Sequence, residues 1–145
     1  MKVITIKKYY IILFFFLFAF SAIAQISVEV SPDTWSMGSV AINTTSDWSV
    51  FTATNTGSVI LNFTIKGTDG TGGWSIQTIV DTDTFVIEVD DPSFNIMTEE
   101  QPLASGINPA AVYGFCLKYK SPTLDTKGAG IGQGLDITIT ASETE

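Results

Sequence analysis

Short runs in which apolar and polar residues alternate follow one another along most of the chain. The clearest run is residues 59–66, VILNFTIK, and similar alternation recurs at residues 85–90, 113–120 and 135–141. Because successive side chains of a β-strand point to opposite faces, each run predicts a strand with one buried face. Beyond residue 25, no segment repeats its apolar residues at helical spacing, which predicts an all-β protein.

Weaker patterns predict further strands at residues 26–30, 37–42, 48–55, 74–80 and 94–98. Clusters of Gly, Pro, Asn, Asp and Ser separate the strands, as is typical of tight turns. Residues 99–108 and 122–134 contain prolines and glycines, and we predict that both are loops. Seven to nine short strands at this spacing predict an immunoglobulin-like antiparallel β-sandwich.

The N-terminus has a different character. Residues 1–24 carry three lysines, then an apolar run, and end in small residues at Ala22 and Ala24. This order is typical of a secretory signal peptide, so we predict cleavage before Gln25 and a single exported domain at residues 25–145. The alternative is an uncleaved membrane anchor, since an uncharged stretch of this length just spans a bilayer. The strongly apolar part is short, which favours cleavage.

The charge of the predicted domain excludes several functions. Four lysines against 15 acidic residues give residues 25–145 a net charge of −11, and the chain has neither His nor Arg. A nucleic-acid-binding protein needs a basic face to neutralise phosphates, so we predict no nucleic-acid partner and no attraction to anionic membranes. Without His, the common nucleophile–base arrangements are excluded, and we predict that the protein is not an enzyme.

Two groups of acidic residues are candidates for a cation site. Asp81 and Asp83 precede one predicted strand, and Asp90 with Asp91 follows it. Carboxylate oxygens are the hard ligands that calcium prefers, although the spacing does not fit an EF-hand loop. We predict no other cofactor. The alternative is that all four carboxylates belong to a solvated surface.

The tryptophans are candidates for a sugar-binding face. Trp74 follows two glycines at a loop edge, and we expect it to be the most exposed of Trp35, Trp48 and Trp74. The alternative is packing in the core or at its rim, where most large aromatic side chains lie.

Two further features have simpler explanations than a site. The glycine-rich loop at residues 69–73 lacks the Lys and Ser or Thr of a phosphate-binding loop, which indicates a flexible turn. Cys116, the only cysteine, is predicted to be a small buried thiol; a disulfide-linked dimer is the alternative.

One stretch resembles a known module. Ser31-Pro32-Asp33, then Met37-Gly38-Ser39-Val40, then the segment FTATNTGS at residues 51–58 with its Asn-x-Gly turn resemble Ig-like modules of the ASPM/SPD-2/Hydin (ASH) kind, which also occur in secreted bacterial proteins. The pattern also resembles, more weakly, matrix proteins of the TasA type. Both resemblances imply a sandwich fold without catalytic residues.

These observations favour an exported, non-catalytic structural or adhesive module of the cell envelope or extracellular matrix. We expect it in the periplasm or outside the cell. Its expected partners are other envelope or matrix proteins, or a second copy that pairs through strand edges, and residues 26–30 are one candidate for such pairing. The alternative is a secreted carbohydrate-binding module that uses Trp74.

Overall fold

A computed structural model describes residues 23–128 and 130–144 of the chain. Residues 1–22, which hold most of the predicted signal peptide, lie outside the described residues. No helix long and apolar enough to cross a membrane occurs in the described part. Within it the regular structure consists of nine strands: β1 Val28–Ser31, β2 Ser49–Asn55, β3 Leu61–Gly67, β4 Ser75–Ile76, β5 Thr84–Val89, β6 Phe94–Asn95, β7 Gln101–Ile107, β8 Val112–Lys120 and β9 Ile137–Glu143.

The strands form two sheets, which confirms the all-β prediction and is consistent with a β-sandwich. The larger sheet has the order β1-β2-β8-β5-β4, with β6 paired to the end of β5, and it is curled into a half-barrel. The smaller sheet has the order β7-β3-β9. All neighbours are antiparallel except β4 and β5.

The core lies between the two sheets and consists of the apolar positions of the alternating strands. Phe63 of β3 is 1% exposed and Phe115 of β8 is 3% exposed, as the alternation predicted. Phe115 stacks on Phe51 of β2, with 5.8 Å between the ring centroids. Each buried aromatic side chain contributes about 2 to 3 kcal/mol through the apolar surface it removes from water.

The structure corrects three strand assignments. Residues 101–107, predicted as part of a loop, form β7, because Pro102 lies in an edge strand, where a missing N–H is tolerated. Residues 37–42 form no strand; the backbone turns at Gly38 (φ 60°) and at Asn43 (φ 53°). Only two residues of the predicted strand at 74–80 pair, as β4.

The Asn-x-Gly turn between β2 and β3 is fixed by a buried side chain. Asn55 is fully buried, and its amide donates hydrogen bonds to the carbonyls of Val59 and Ile107, both at 2.8 Å. Its Oδ1 accepts the N–H of Gly57 at 2.9 Å. A side chain at position 57 would collide with the carbonyl oxygen of Gln25, only 2.1 Å from a built Cβ.

The N-terminal segment is therefore attached to this turn. Gln25 accepts a hydrogen bond from Ser58 N–H at 2.9 Å, and its own N–H donates to the Ser58 hydroxyl at 3.0 Å. β1 then pairs with β2 of the same chain along its whole length. The predicted strand at residues 26–30 therefore pairs within its own chain in this structure, which is the alternative to its addition to the sheet of a neighbouring molecule.

Candidate functional site

The outer edge of β9 carries backbone groups with no partner in the described structure. On its inner side, β9 pairs with β3. Just outside the strand, Thr144 N–H donates to Ile60 and Thr68 N–H donates to Asp136, at 3.1 and 3.0 Å. Because bonded pairs alternate in an antiparallel ladder, the even-numbered residues of β9 are bonded to β3. The outward N–H and C=O groups belong to Ile137, Ile139, Ala141 and Glu143.

The other edges of the two sheets are protected. β7 contains Pro102, a glycine at 106 with φ 68°, and two register shifts against β3. β1 has four residues and is followed by Pro32, while β4 and β6 have two residues each. Prolines, bulges and short length are the usual ways in which proteins prevent edge pairing. β9 has seven residues and neither Pro nor Lys.

A cleft of about 920 Å³ opens beside β9, between the two sheets. Its floor is formed by aromatic side chains of the larger sheet, including Phe51, Phe115 and Tyr119. One wall is the segment 32–40, which places Trp35 against Phe51 with 5.7 Å between ring centroids. The other wall is residues 130–139, with Ile137 and Ile139 of β9. The volume lies within the range of small-molecule sites, about 300 to 1,000 Å³.

Tyr119 brings a polar group to the floor of the cleft. The residue is 4% exposed, and it lines the cleft. Burial raises the pKa of Tyr119 to about 12, so the phenol stays protonated at neutral pH.

The charged groups that line the cleft are all acidic. Asp33 lies on one wall and Asp136 on the other, and both are exposed. None of the lysines that the structure describes lines the cleft. The cleft therefore combines an aromatic floor with a negative rim.

Neither a protein-family model, nor a curated protein, nor a solved structure matches this chain. Function must therefore be inferred from the free edge, the cleft and the charges themselves.

The four candidate calcium ligands are not brought together. Asp81 and Asp83 precede β5, whereas Asp90 and Asp91 follow it. At about 3.3 Å per residue, the six residues of β5 separate the two pairs by about 20 Å. Among the described residues, no group of three or more Asp, Glu, His or Cys side chains has the arrangement of a metal site.

Both ends of β5 use their carboxylates to hold neighbouring segments. Asp83 accepts the N–H of Thr126 at 2.7 Å, accepts its hydroxyl as well, and forms an ion pair with Lys127 at 3.4 Å. The hydrogen bonds from the hydroxyl and the N–H of Thr126 hold the pKa of Asp83 below its usual value, and Lys127 acts in the same direction.

At the other end, Asp90 accepts the N–H of Cys116 at 2.7 Å. Burial raises the pKa of Asp90, but the hydrogen bonds, led by that of Cys116, outweigh it and the net pKa lies below the usual value. Burial and the neighbouring Asp90 raise the pKa of the Cys116 thiol. Cys116 is half-buried rather than fully buried, since it points to the outer face of the larger sheet.

Trp74 is part of the core and of the cleft lining, not an exposed platform. It is 8% exposed, and its indole N–H donates to Asp125 at 3.2 Å. The glycines that precede it leave room for Gln133, whose amide lies 2.6 and 2.2 Å from Cβ positions built at Gly70 and Gly72. The glycine-rich loop thus packs against the Gln133 side chain of the same molecule.

The most exposed tryptophan is Trp48, at 43%. It lies on the outer face of the larger sheet, with the ammonium of Lys118 at 4.2 Å from the ring centroid. The importance of the β9 edge was not recognised from the sequence, although a signal was present. The last alternating run contains no Pro and no Lys, unlike a protected edge.

Proposed function

We propose that this protein is an exported, non-catalytic structural or adhesive module that assembles with a second copy through the free edge of β9. The observation that carries the proposal is the contrast among the edges. β9 has seven residues without Pro or Lys, and its register against β3 is unbroken, while the described alternatives are short, bulged or interrupted. An edge of this kind is a ready template for strand addition.

The register of β9 supports pairing between identical edges. Two antiparallel copies of one strand satisfy a two-fold axis, so each copy would contribute the same residues to the joint. Ile139 and Ala141 would each donate and accept across it, because their backbone groups point outward. Thr138 and Thr140 keep their bonds to β3, so assembly does not require unfolding.

We also propose that the sandwich is of the immunoglobulin-like class. Two sheets that are antiparallel except at β4 and β5 surround one apolar core, and this arrangement and the Asn-x-Gly turn at Asn55 support the assignment. The carbohydrate-binding alternative stays a prediction. A sugar would have to reach Trp74 from inside the cleft, because this side chain lines the cleft and is not an exposed platform.

The proposal is tested with the exported protein and two variants at one position. Ala141→Pro removes an outward N–H and places a ring in the free edge, while the bonds to β3 remain. Ala141→Ser, the matched control, retains the N–H. We expect light scattering to show dimers for the wild type and for Ala141→Ser, and monomers for Ala141→Pro. A wild type that stays monomeric at about millimolar concentration, where even weak specific contacts are populated, would contradict self-assembly.

A further inference from the structure

We propose that the cleft beside β9 is a binding site for a small organic cation with an aromatic or alkyl body. The cleft borders the free edge, since Ile137 and Ile139 of β9 line it, but the proposal does not require assembly. It rests on the shape of the cleft, on the aromatic residues of its lining and on the charges of the rim.

The floor selects an apolar body. Phe51, Phe115 and Tyr119 line the inner end of the cleft with aromatic side chains that are only 3 to 6% exposed, and the partly buried Trp35 lines one side. A planar or flexible apolar group of a few carbon atoms buries its surface there at about 25 cal/mol per Å². Aromatic faces also attract cations, and Trp does so most strongly.

The acidic residues at the rim of the cleft favour a positively charged ligand. Asp33 and Asp136 stand on opposite walls, and none of the described lysines lines the cleft, so an anion would meet only repulsion. The net charge of −11 over residues 25–145 adds a general attraction for cations. A ligand with its body on the floor and an ammonium group at the rim satisfies both features.

Three probes of matched shape test the charge selection. 4-Phenylbutylamine is cationic at neutral pH, 4-phenylbutanol is neutral and 4-phenylbutyrate is anionic. We expect calorimetric titration of the exported protein to show saturable binding in the order amine, alcohol, acid. The amine should bind about threefold or more tighter than the alcohol, as expected for partly solvated charges. Equal binding of the three probes, or no saturable binding of the amine, would overturn the proposal.

Substitutions in the cleft lining test whether the ligand binds there. The double variant Asp33→Asn with Asp136→Asn should abolish the preference for the amine and leave the affinity for the alcohol unchanged. Glu143→Gln, a carboxylate outside the cleft lining, is the matched control and should retain the preference. Gly132→Phe puts a ring into open space in the lining, since nothing lies within 4 Å of a Cβ there, and should block all three probes. Undiminished binding to a folded Gly132→Phe variant would show that the site is elsewhere.

The outcome is independent of assembly. Ala141 does not line the cleft, so Ala141→Pro should change oligomerisation and not amine binding. A wild type that assembles but does not bind the amine would reject the ligand site and leave the β9 proposal standing. A wild type that binds the amine but stays monomeric would reject the β9 proposal and leave the ligand site standing.

Discussion

Phe63 occupies the centre of β3, between β7 and β9, and is almost completely buried. Phe115 plays the same part in β8 and stacks on Phe51. Truncation of either ring to Ala leaves a cavity in the shared core, so we expect a loss of about 3 to 5 kcal/mol in the free energy of unfolding. Phe63→Leu keeps most of the volume and should lose much less. Urea denaturation measures both; a loss below about 1 kcal/mol for both Ala variants would contradict the described register.

Asn55 shows the corresponding role of a buried polar residue. Its three hydrogen bonds join the β2–β3 turn to the end of β7. Asn55→Ala leaves two carbonyls and one N–H without these partners in a buried place, which we expect to cost about 2 to 4 kcal/mol in unfolding free energy. Asn108→Ala, on an exposed side chain, is the control and should change it by less than about 0.5 kcal/mol. Equal melting temperatures for the two variants would contradict this role.

Among the elements, the loop that follows β8 is held by the carboxylate of Asp83, directly before β5. Asp83 has φ 55°, a conformation that Asn also accepts, so Asp83→Asn removes the charge without backbone strain. The pKa of Asp83 is lowered in the folded protein by the bonds from Thr126. A lowered pKa means that the stabilisation is complete above the unfolded value of 3.8 and is lost as the pH falls through the folded value.

We therefore expect Asp83→Asn to lower the melting temperature at neutral pH, with a difference from the wild type that shrinks as the pH falls from about 5 to about 3. Thermal melts monitored by circular dichroism across this range measure it. Asp47→Asn, at an exposed carboxylate for which no side-chain hydrogen bond is recorded, serves as the comparison and should show no such trend. A difference that is constant with pH would contradict the role of the charge.

The elements also show which parts of the fold the sequence determines locally. β3 and β8 were predictable because each alternates through the core without interruption. β7 was missed because Pro102 and Gly106 are turn residues in most contexts, and only its edge position makes them acceptable. Residues 37–42 were mistaken for a strand because Met37 and Val40 pack against the core from a loop. The spacing of apolar residues indicates which side chains are buried, so a loop that packs against the core can have the same pattern as a strand.

The candidate site was less predictable, for a physical reason. Trp74 follows glycines, but those glycines make room for Gln133, which is distant in sequence, and the ring turns inward. The cleft depends on how loops 32–40 and 130–136 stand apart across the sandwich, and no local pattern encodes that distance. The placement of Asp81 and Asp83 away from Asp90 and Asp91 follows from the length of β5, which was visible in the alternation.

For the whole molecule, the excess of acidic residues opposes close contact between copies, since net charge keeps proteins apart. Backbone pairing at β9 acts against this repulsion, and only Glu143 in that strand is charged. Screening by salt reduces the repulsion, because the Debye length is about 8 Å at physiological ionic strength. Assembly through this edge should therefore be stronger at moderate salt than at low salt.

Residue-resolved amide hydrogen exchange of residues 25–145, at low and at high protein concentration, tests the β9 proposal most directly. The even-numbered amides, Thr138, Thr140 and Ser142, are bonded to β3 and should be protected at both concentrations. The outward amides of Ile139 and Ala141 should exchange fast in the dilute monomer and become protected as the concentration rises. Unchanged fast exchange of these two amides, or new protection confined to β1 or β7, would contradict assembly through β9.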